Sequence, residues 1–476
     1  MYKLDLDRLL KPIRLRSSRA NRGELDLRSE FESDASRVVF CAASRRMHDK
    51  TQVYPLTSGD YVHTRLTHSQ EVQKIAESLG VSLCRSREFQ KLYGEKAYEY
   101  EREICSMLGT AGLIHDIGNP PFGHCAEEVI ANYFKKKDKQ GIKHLKKLKK
   151  VGQKLDFLEY DGNASGFRVI TKTQYAGDLY GLNLTIPVLA AYMKYPNVKK
   201  KVEKKYIGQK KHGVFDSESE HFQQIVNVLQ LQKEDGTIKR YPFAFLVEAA
   251  DTICYRVMDI DDAFSLRWIT LAEVCMMIDK YINQHIDVHS IDDECLEKGE
   301  FSIQKMLRIK DVEDYAENQI YFRVALVRYF VNLALRNFVD NLESIDKGEY
   351  SKELLDDDPL HLEQALKYIV KTKVFCRKEI VLAELTGSSV IEGLLDITLP
   401  RIFNNDRRLT NILPKSILRV VHHEAGLYNP HERKEFIPNI ESLPDYYKLR
   451  IIIDWISGMT DQYAVSTFRK LNGTNL

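Results

Sequence analysis

The chain has almost no net charge, no close cysteine pair and no long apolar run. Its 70 lysines and arginines nearly balance 68 aspartates and glutamates, so overall charge gives no reason to expect nucleic acid or an anionic membrane as a partner. The eight cysteines form no CxxC pair, which argues against a structural zinc site and indicates reduced thiols in a cytosolic protein. No window reaches about 18 apolar residues, and the first residues lack the apolar core of a signal peptide. We therefore expect a soluble cytoplasmic protein that does not insert into a membrane.

Strand-like alternation of apolar and polar residues is also scarce, and 167–171 and 207–215 are the best candidates. Elsewhere apolar residues recur at the 3.6-residue spacing of a helix. The first helix is predicted to begin with a capping box formed by Thr67 and Gln70. The fold class is therefore predicted to be mostly α with few short strands. The predicted helices cover 67–83, 102–115, 124–134, 242–263, 268–290, 315–346, 360–383, 388–405 and 444–470.

Two segments are rich in lysine. Ten lysines lie between residues 135 and 154, and seven lie between 199 and 211. One interpretation is that both are solvated insertions whose charges repel each other. The other is that they capture phosphate groups, either of a nucleotide or of a nucleic acid strand.

The second predicted helix ends in a histidine and an aspartate. Ile104, Leu108, Ala111 and His115 are spaced by 4, 3 and 4 residues, so His115 lies on the apolar face. A histidine in that place is often only a core residue with a satisfied hydrogen bond. Asp116 favours a different interpretation, because a carboxylate at the buried end of a helix is costly unless it is paired or binds a cation.

Two other helices offer ligands at a similar depth. His68 precedes the apolar face of the first helix, and Asp251 falls within the apolar spacing of the fourth. An alternative for Asp251 is membership of a polar face that runs through 248–259. Together with His115 and Asp116, these side chains predict a site for Mg²⁺ or a divalent transition metal.

Between the second and third helices, glycines and prolines at 118–123 predict a tight loop. His124 follows the loop and opens the third helix, and Glu127 lies three residues later on the same face. A histidine held by a carboxylate near a metal is a candidate general acid or base. The alternative is a pair that only caps the helix.

These residues together resemble the bacterial dGTP triphosphohydrolases, a family within the HD superfamily. The order of His68, His115, Asp116 and Asp251 matches the H…HD…D pattern of that superfamily. The matching pieces run from about residue 16 to 470, so the resemblance extends over nearly the whole chain. The more specific matches are RRMHDKTQV at 45–53, TRLTHS at 64–69, HDIGNPPFGH at 115–124, EAAD at 248–251 and ISGMTD at 456–461.

The resemblance implies an HD-domain helical core that hydrolyses a deoxynucleoside triphosphate, dGTP foremost, to a deoxynucleoside and inorganic triphosphate. It implies a divalent metal, Mg²⁺, Mn²⁺ or another transition metal, on His68, His115, Asp116 and Asp251, and a catalytic pair formed by His124 and Glu127. The implied substrate contacts are Arg65 at the α-phosphate, Lys211 at another phosphate, Gln52 and Asp259 at the 3′-hydroxyl, Tyr255 under the deoxyribose and Asn163 near the base.

The resemblance also bears on partners and domains. Relatives form homo-oligomers, often hexamers, and some respond to an activating dNTP or to single-stranded DNA, so we expect the same classes of partner here. We expect an N-terminal segment over 1–60 that contributes to the nucleotide site. It is followed by an HD core over 61–300 that carries the first lysine segment, and by a helical C-terminal region over 301–476.

The chain departs from the family pattern at three positions near the predicted site. Ser44 stands where a Phe is usual, Ala126 where a Gly is usual, and Thr252 where a charged residue is common. None of these changes removes a predicted ligand, so they bear on base preference and pocket shape. Two rival functions stay open: an HD phosphatase or phosphodiesterase acting on other nucleotides, and a nucleic-acid-binding regulator with a structural metal site.

Overall fold

The computed structural model describes residues 2–17, 26–52, 63–141, 143–148, 150–174, 177–198, 206–286, 296–297, 300–309, 313, 316–432 and 435–474. The fold over these residues is helical, which confirms the predicted mostly α class. Beside the α-helices, two turns of π-helix cover Val169–Thr173 and Val370–Val374. The helices in chain order are α1 Leu6–Leu9, α2 Glu30–Val39, α3 Ala42–Arg46, α4 Arg65–Arg85, α5 Arg87–Tyr93, α6 Lys96–Ile114, α7 His124–Lys139, α8 Lys143–Lys146, α9 Val151–Leu158, α10 Gly162–Arg168, α11 Ile186–Tyr192, α12 Ser219–Leu229, α13 Ala244–Ser265, α14 Leu271–His285, α15 Ile303–Met306, α16 Ala316–Asp340, α17 Leu342–Lys347, α18 Leu362–Ile369, α19 Lys378–Phe403, α20 Arg407–Ile412, α21 Lys415–Glu424, α22 Asp445–Ser457 and α23 Asp461–Leu471.

A few predicted elements fall wholly or partly outside the described residues. These are Val53 of the 45–53 motif, residues 142 and 149 of the first lysine segment, 199–205 of the second, residues 287–290 and 315 of two predicted helices, and Cys295. The seven described cysteines form no disulfide. Among the described helices, none is both long enough and apolar enough to cross a bilayer.

Three helices form the centre of the larger hydrophobic core. Helix α6 packs along α4, and α13 contacts both. Val72 and Leu79 of α4, Leu108 and Ala111 of α6 and Ile253 of α13 are fully buried where these helices meet. Burial of such a side chain contributes about 1.5–3 kcal/mol. The core therefore fixes these three helices relative to one another. They carry His68 in the first turn of α4, His115 just after α6, and Asp251 two turns into α13.

A second core lies around the C-terminal helices. Phe134 of α7, Leu394 of α19 and Ile452 of α22 are buried in it. Helix α19 contacts α7, α22 and α23. The C-terminal part of the chain thus packs directly on the helix that begins with His124.

The start of α4 differs from the prediction. The capping box is formed by Thr64 and Thr67, so the predicted box of Thr67 and Gln70 is wrong. Thr64 pairs with Thr51 in an isolated β-bridge, which holds Thr64 in the extended conformation that an N-cap requires. Helix α4 therefore begins at Arg65, and His68 lies in its first turn.

Both predicted strands are wrong. Residues 167–171 continue helix α10 into a turn of π-helix, because Phe167 and Ile170 are both buried at helical spacing. Residues 207–215 begin with a 3₁₀ turn at Ile207–Gln209 and continue without strand pairing. Among the described residues two strands form, β1 Leu296–Glu297 and β2 Glu300–Phe301; they pair antiparallel, and the sequence did not predict them.

Three of the long predicted helices are interrupted. The 315–346 prediction is divided at Asn341 between α16 and α17, and the 444–470 prediction is divided before Asp461. The 360–383 prediction is also wrong in its extent, since α18 ends in π-helix and α19 begins at Lys378. Breaks of one to three residues leave the apolar period almost unchanged, so periodicity alone did not reveal them.

Candidate active site

Ten of the twelve predicted site residues line one cleft of about 620 Å³. The other two, His68 and Glu127, are buried directly beneath it, where His68 contacts Asp251 and Glu127 contacts His124. The ten residues that line the cleft are Gln52, Arg65, His115, Asp116, His124, Asn163, Lys211, Asp251, Tyr255 and Asp259.

His68, His115 and Asp251 form a compact group. His68 Nε2 lies 3.2 Å and His115 Nε2 lies 3.3 Å from the same Oδ1 atom of Asp251. Their candidate ligand atoms all lie within 4.8 Å of one another. Two imidazole nitrogens and one carboxylate oxygen at this spacing are a donor set that a divalent cation accepts.

The surroundings of His115 fit such a cation. Its Nδ1 lies 2.7 Å from the carbonyl oxygen of Gly112, and a carbonyl only accepts, so Nδ1 carries the proton. In the neutral ring Nε2 then presents its lone pair towards Asp251. That nitrogen is buried and has no well-directed hydrogen-bond partner among the described residues. A buried acceptor left in this state is costly, and a bound cation removes the cost.

The same group shows strong electrostatic coupling. Burial alone would lower the pKa of His115, but the carboxylates of Asp116 and Asp251 raise it to about 9. Burial alone would raise the pKa of Asp251, but His115 and His68 hold it well below its usual range. The carboxylates therefore favour positive charge between them, whether that charge is a proton or a metal ion.

Asp116 lies at the edge of the group. Its Oδ1 is 3.6 Å from His115 Nε2, and its two oxygens already accept hydrogen bonds from Arg65 at 2.6 Å and from Asn119 at 2.5 Å. Burial would raise its pKa, but Arg65 and the imidazoles lower it, so it is a carboxylate. Its role as a fourth ligand stays a prediction, since a cation would share it with Arg65.

A strained loop presents His124. Phe122 has φ of 63° and Gly123 has φ of 57°, two consecutive residues in the left-handed half of backbone space. Gly123 tolerates this conformation, but Phe122 requires support from its surroundings. The side chain of His124 is 79% exposed, whereas that of Glu127 is 8% exposed, and their Nδ1 and Oε2 atoms lie 3.2 Å apart.

The hydrogen bond to Glu127 determines which ring nitrogen of His124 is held as a donor. Because a carboxylate accepts, Nδ1 of His124 donates, and Nε2 is the nitrogen left to exchange a proton with a ligand. The bond to Glu127 and its charge raise the pKa of His124. Burial opposes ionisation of Glu127, but His124 lowers its pKa. The pair is suited to general acid or base chemistry.

Cationic side chains surround the cleft. Lys211 Nζ lies 3.1 Å from Asp161 and 4.0 Å from Glu127. Burial would lower the pKa of Lys211, but these carboxylates raise it. Lys194, just after α11, also lines the cleft and pairs with Glu248 at 3.1 Å. Lys194 was missed by sequence reasoning, although a lysine that directly follows a fully buried helix was a usable signal.

The end of the cleft near Asp259 carries a carboxyl group with a raised pKa, an amide oxygen and an aromatic ring. Burial, reinforced by Asp262, raises the pKa of Asp259 to about 8. Gln52 Oε1 is buried without a hydrogen-bond partner among the described residues, so it is available to a ligand. The guanidinium of Arg256 lies 4.3 Å from the centre of the Tyr255 ring. Asn163 lies instead on the side of Lys211, since both residues bind Asp161; the Nδ2 of Asn163 donates to it at 2.9 Å.

One wall of the cleft comes from the C-terminal part of the chain. Phe375, Ile380 and Glu384, before and within α19, line the cleft beside Phe122. Sequence reasoning missed these three residues because no local pattern connects them to the predicted site residues, all of which lie more than 100 positions away.

Comparison with known proteins identifies the family of the chain. The family described as a phosphohydrolase-associated domain matches residues 357–470, the part that packs on α7. The chain is 32% identical over 474 residues to the deoxyguanosinetriphosphate triphosphohydrolase-like protein of Listeria innocua, covering 98% of this chain and 99% of the relative. It is 31% identical to the protein of the same name from Pseudomonas aeruginosa, over 94% of each chain, and 28% identical to the deoxyguanosinetriphosphate triphosphohydrolase of an Enterobacter species, over 96% of each. The chain therefore belongs to the deoxyguanosinetriphosphate triphosphohydrolase family, as its sequence motifs predicted.

Proposed function

We propose that this protein hydrolyses deoxynucleoside triphosphates, dGTP foremost, to a deoxynucleoside and inorganic triphosphate. The observation that carries the proposal is one cleft with three kinds of group: a compact His–His–Asp cluster, the pair of His124 and Glu127, and the cationic side chains of Arg65 and Lys211. The names of the relatives, which state this reaction for those proteins, point the same way.

His68, His115 and Asp251 would hold a divalent cation, Mg²⁺ or Mn²⁺, with Asp116 beside it. Such a cation supplies Lewis acidity to a phosphoryl oxygen and makes bound water more acidic. Arg65 and Lys211 bind phosphate oxygens and offset the negative charge that develops during the reaction.

The bond to be broken joins the α-phosphorus to the 5′ oxygen. A water oxygen forms a bond to the phosphorus while the bond to the 5′ oxygen breaks. The 5′ oxygen takes a proton and departs as the deoxynucleoside hydroxyl, the water oxygen stays on intact triphosphate, and the proton that the water releases passes through solvent and restores the charge of His124. His124 supplies the proton to the 5′ oxygen from Nε2, because Glu127 occupies Nδ1 and keeps the ring charged. The raised pKa of His124 supports the acid role over the base role.

The choice of deoxyribose follows from the other end of the cleft. The ring of Tyr255 leaves no space for a 2′-hydroxyl when a sugar packs against it. Asp259 and Gln52 would bind the 3′-hydroxyl: Gln52 accepts through its unpartnered Oε1, and Asp259, with a pKa of about 8, can donate or accept near neutral pH.

Product analysis tests the proposal. Purified protein is incubated with each dNTP, singly and in pairs, with Mg²⁺, Mn²⁺ or a chelator, and the products are separated by anion exchange. We expect intact triphosphate, no product with chelator, no product from His124→Ala, and normal product from His431→Ala, a histidine on an exposed turn. Release of orthophosphate would favour the phosphatase alternative, and absence of any product with all dNTPs and metals would reject the proposal.

A further inference from the structure

Asp461 is a buried carboxylate, near the end of the sequence, that binds two residues lining the candidate site. It lies in the first turn of α23 and is 2% exposed. Its Oδ1 accepts a hydrogen bond from the backbone N–H of Phe122 at 3.0 Å. Its Oδ2 accepts from the backbone N–H of Thr51 at 3.2 Å and from the Thr51 hydroxyl at 2.7 Å.

Each oxygen of Asp461 thus binds a different segment of the site. Oδ1 binds the loop before His124, and Oδ2 binds the segment that carries Gln52; we call these two segments the arms of the site. Phe122 stands two residues before His124 and has the left-handed φ that needs support. Thr51 stands one residue before Gln52 and pairs with Thr64, which caps the helix that begins at Arg65. One side chain therefore fixes the distance between the His124 loop and the Gln52 segment.

A second connection joins the same three parts of the chain. The ammonium group of Lys50 donates to the carbonyl oxygens of Asn119, at 2.6 Å, and Ser457, at 2.9 Å. Asn119 in turn donates to Asp116. Burial lowers the pKa of Lys50 to about 7, and the lysine is enclosed between these segments. The C-terminal helices are therefore attached to both arms by directed polar contacts as well as by apolar packing.

Asp461 is not explained as one half of an ion pair. Within the described part of the chain, no lysine, arginine or histidine nitrogen lies within 4.0 Å of its oxygens. A buried carboxylate that accepts three hydrogen bonds from two separate segments orders both of them, because losing either set leaves a buried charge unsatisfied.

We propose that Asp461 is a positioning residue for catalysis, which holds His124 and Gln52 in register across the cleft. This inference rests on the proposed function for its catalytic readout, but its structural part does not. It also assigns a role to the phosphohydrolase-associated part of the chain, which supplies the carboxylate that joins the His124 loop to the Gln52 segment.

The test is Asp461→Asn, which preserves shape but leaves one acceptor oxygen. An asparagine amide can satisfy Phe122 or Thr51, and its NH₂ group then faces the N–H donors of the other. We expect faster hydrogen–deuterium exchange in peptides that cover 118–124 or 50–52. We also expect kcat for triphosphate release to fall about ten- to hundredfold, since small misplacement of a catalytic group has that effect.

The matched control is Asp454→Asn, another buried carboxylate of the same C-terminal region. Asp454 binds Arg168 and Arg450 and does not contact either arm. We expect this variant to unfold at a lower temperature and yet keep wild-type exchange in both segments and wild-type kcat well below that temperature. Equal loosening of the two segments in Asp454→Asn would show a general stability effect and overturn the proposal.

Two further outcomes are decisive. Wild-type exchange in both segments of Asp461→Asn, or an unchanged kcat, would overturn the inference. If Asp461→Asn does not fold, Thr51→Val is used in its place, because it removes only the hydroxyl that donates to Asp461. We expect faster hydrogen–deuterium exchange confined to 50–52 in this variant, and unchanged exchange there would overturn the proposal. If the wild type releases no triphosphate from any dNTP, the proposed function fails. The comparison of hydrogen–deuterium exchange still tests whether Asp461 orders the two segments.

Discussion

Gly162, the first residue of α10, gives the sharpest test of how closely the site is packed. A Cβ atom built at this position would lie 2.2 Å from Asn119 Oδ1 and 2.4 Å from Glu127 Oε1. An ordinary contact is about 3.4 Å or more, so both side chains must move by about 1 Å. Asn119 supports Asp116, and Glu127 holds His124, so Gly162→Ala disturbs both halves of the site at once.

The expected magnitudes separate activity from stability. Overpacking of this kind costs about 1–3 kcal/mol. A chain of 476 residues unfolds with an entropy of about 1 kcal/mol/K, so Tm should fall by only about 1–3 °C. A misplacement of about 1 Å at catalytic groups can reduce kcat about a hundredfold. We therefore expect a protein that is folded at assay temperature and nearly inactive.

Triphosphate release and a thermal melt measure the two quantities, and Gly393→Ala is the matched control. A Cβ there would lie 2.2 Å from the Phe468 ring, between α19 and α23, and does not reach the cleft. This variant should lose a similar amount of stability and retain kcat. The reasoning is refuted if Gly162→Ala keeps a kcat within about twofold of wild type, or if Gly393→Ala loses as much activity.

Three other predictions follow from the site. Asp251→Asn removes the charge that faces both imidazoles, so the affinity for Mn²⁺, measured by calorimetry, should fall. The loss should exceed ~10- to 100-fold, which is typical when only a partner of a metal ligand is removed. An unchanged affinity would contradict the metal assignment. Catalysis by protonated His124 is lost as pH rises through the raised pKa of that residue. Because Glu127→Gln lowers this pKa, the alkaline limb of the plot of kcat against pH should move to lower pH in the variant. A limb that does not move would argue against His124 as the acid. Tyr255→Ala should raise the rate on ribonucleoside relative to deoxyribonucleoside triphosphates, and an equal ratio in mutant and wild type would remove the steric explanation.

The central helices could be read from the sequence because their stability depends on local periodicity. The apolar faces of α4, α6 and α13 recur at 3.6 residues, and the same spacing identified His68, His115 and Asp251 as inward-facing. The tight loop before His124 was likewise predicted from its own glycines and prolines. Helical periodicity and turn residues of this kind can be recognised because each depends only on about ten neighbouring residues.

Tertiary structure decided what local pattern does not encode. The residues at 167–171 alternate like a strand, yet packing of Phe167 and Ile170 into one core makes them helical. Helix α4 begins at Arg65 because a bridge to Thr51 fixes its cap. Lys194 and Glu384 enter the cleft, and Asp461 reaches Thr51 across 410 positions of sequence. Such contacts form only when separate helices pack their apolar faces together, so the sequence determined which groups were available and the packed core determined which of them meet.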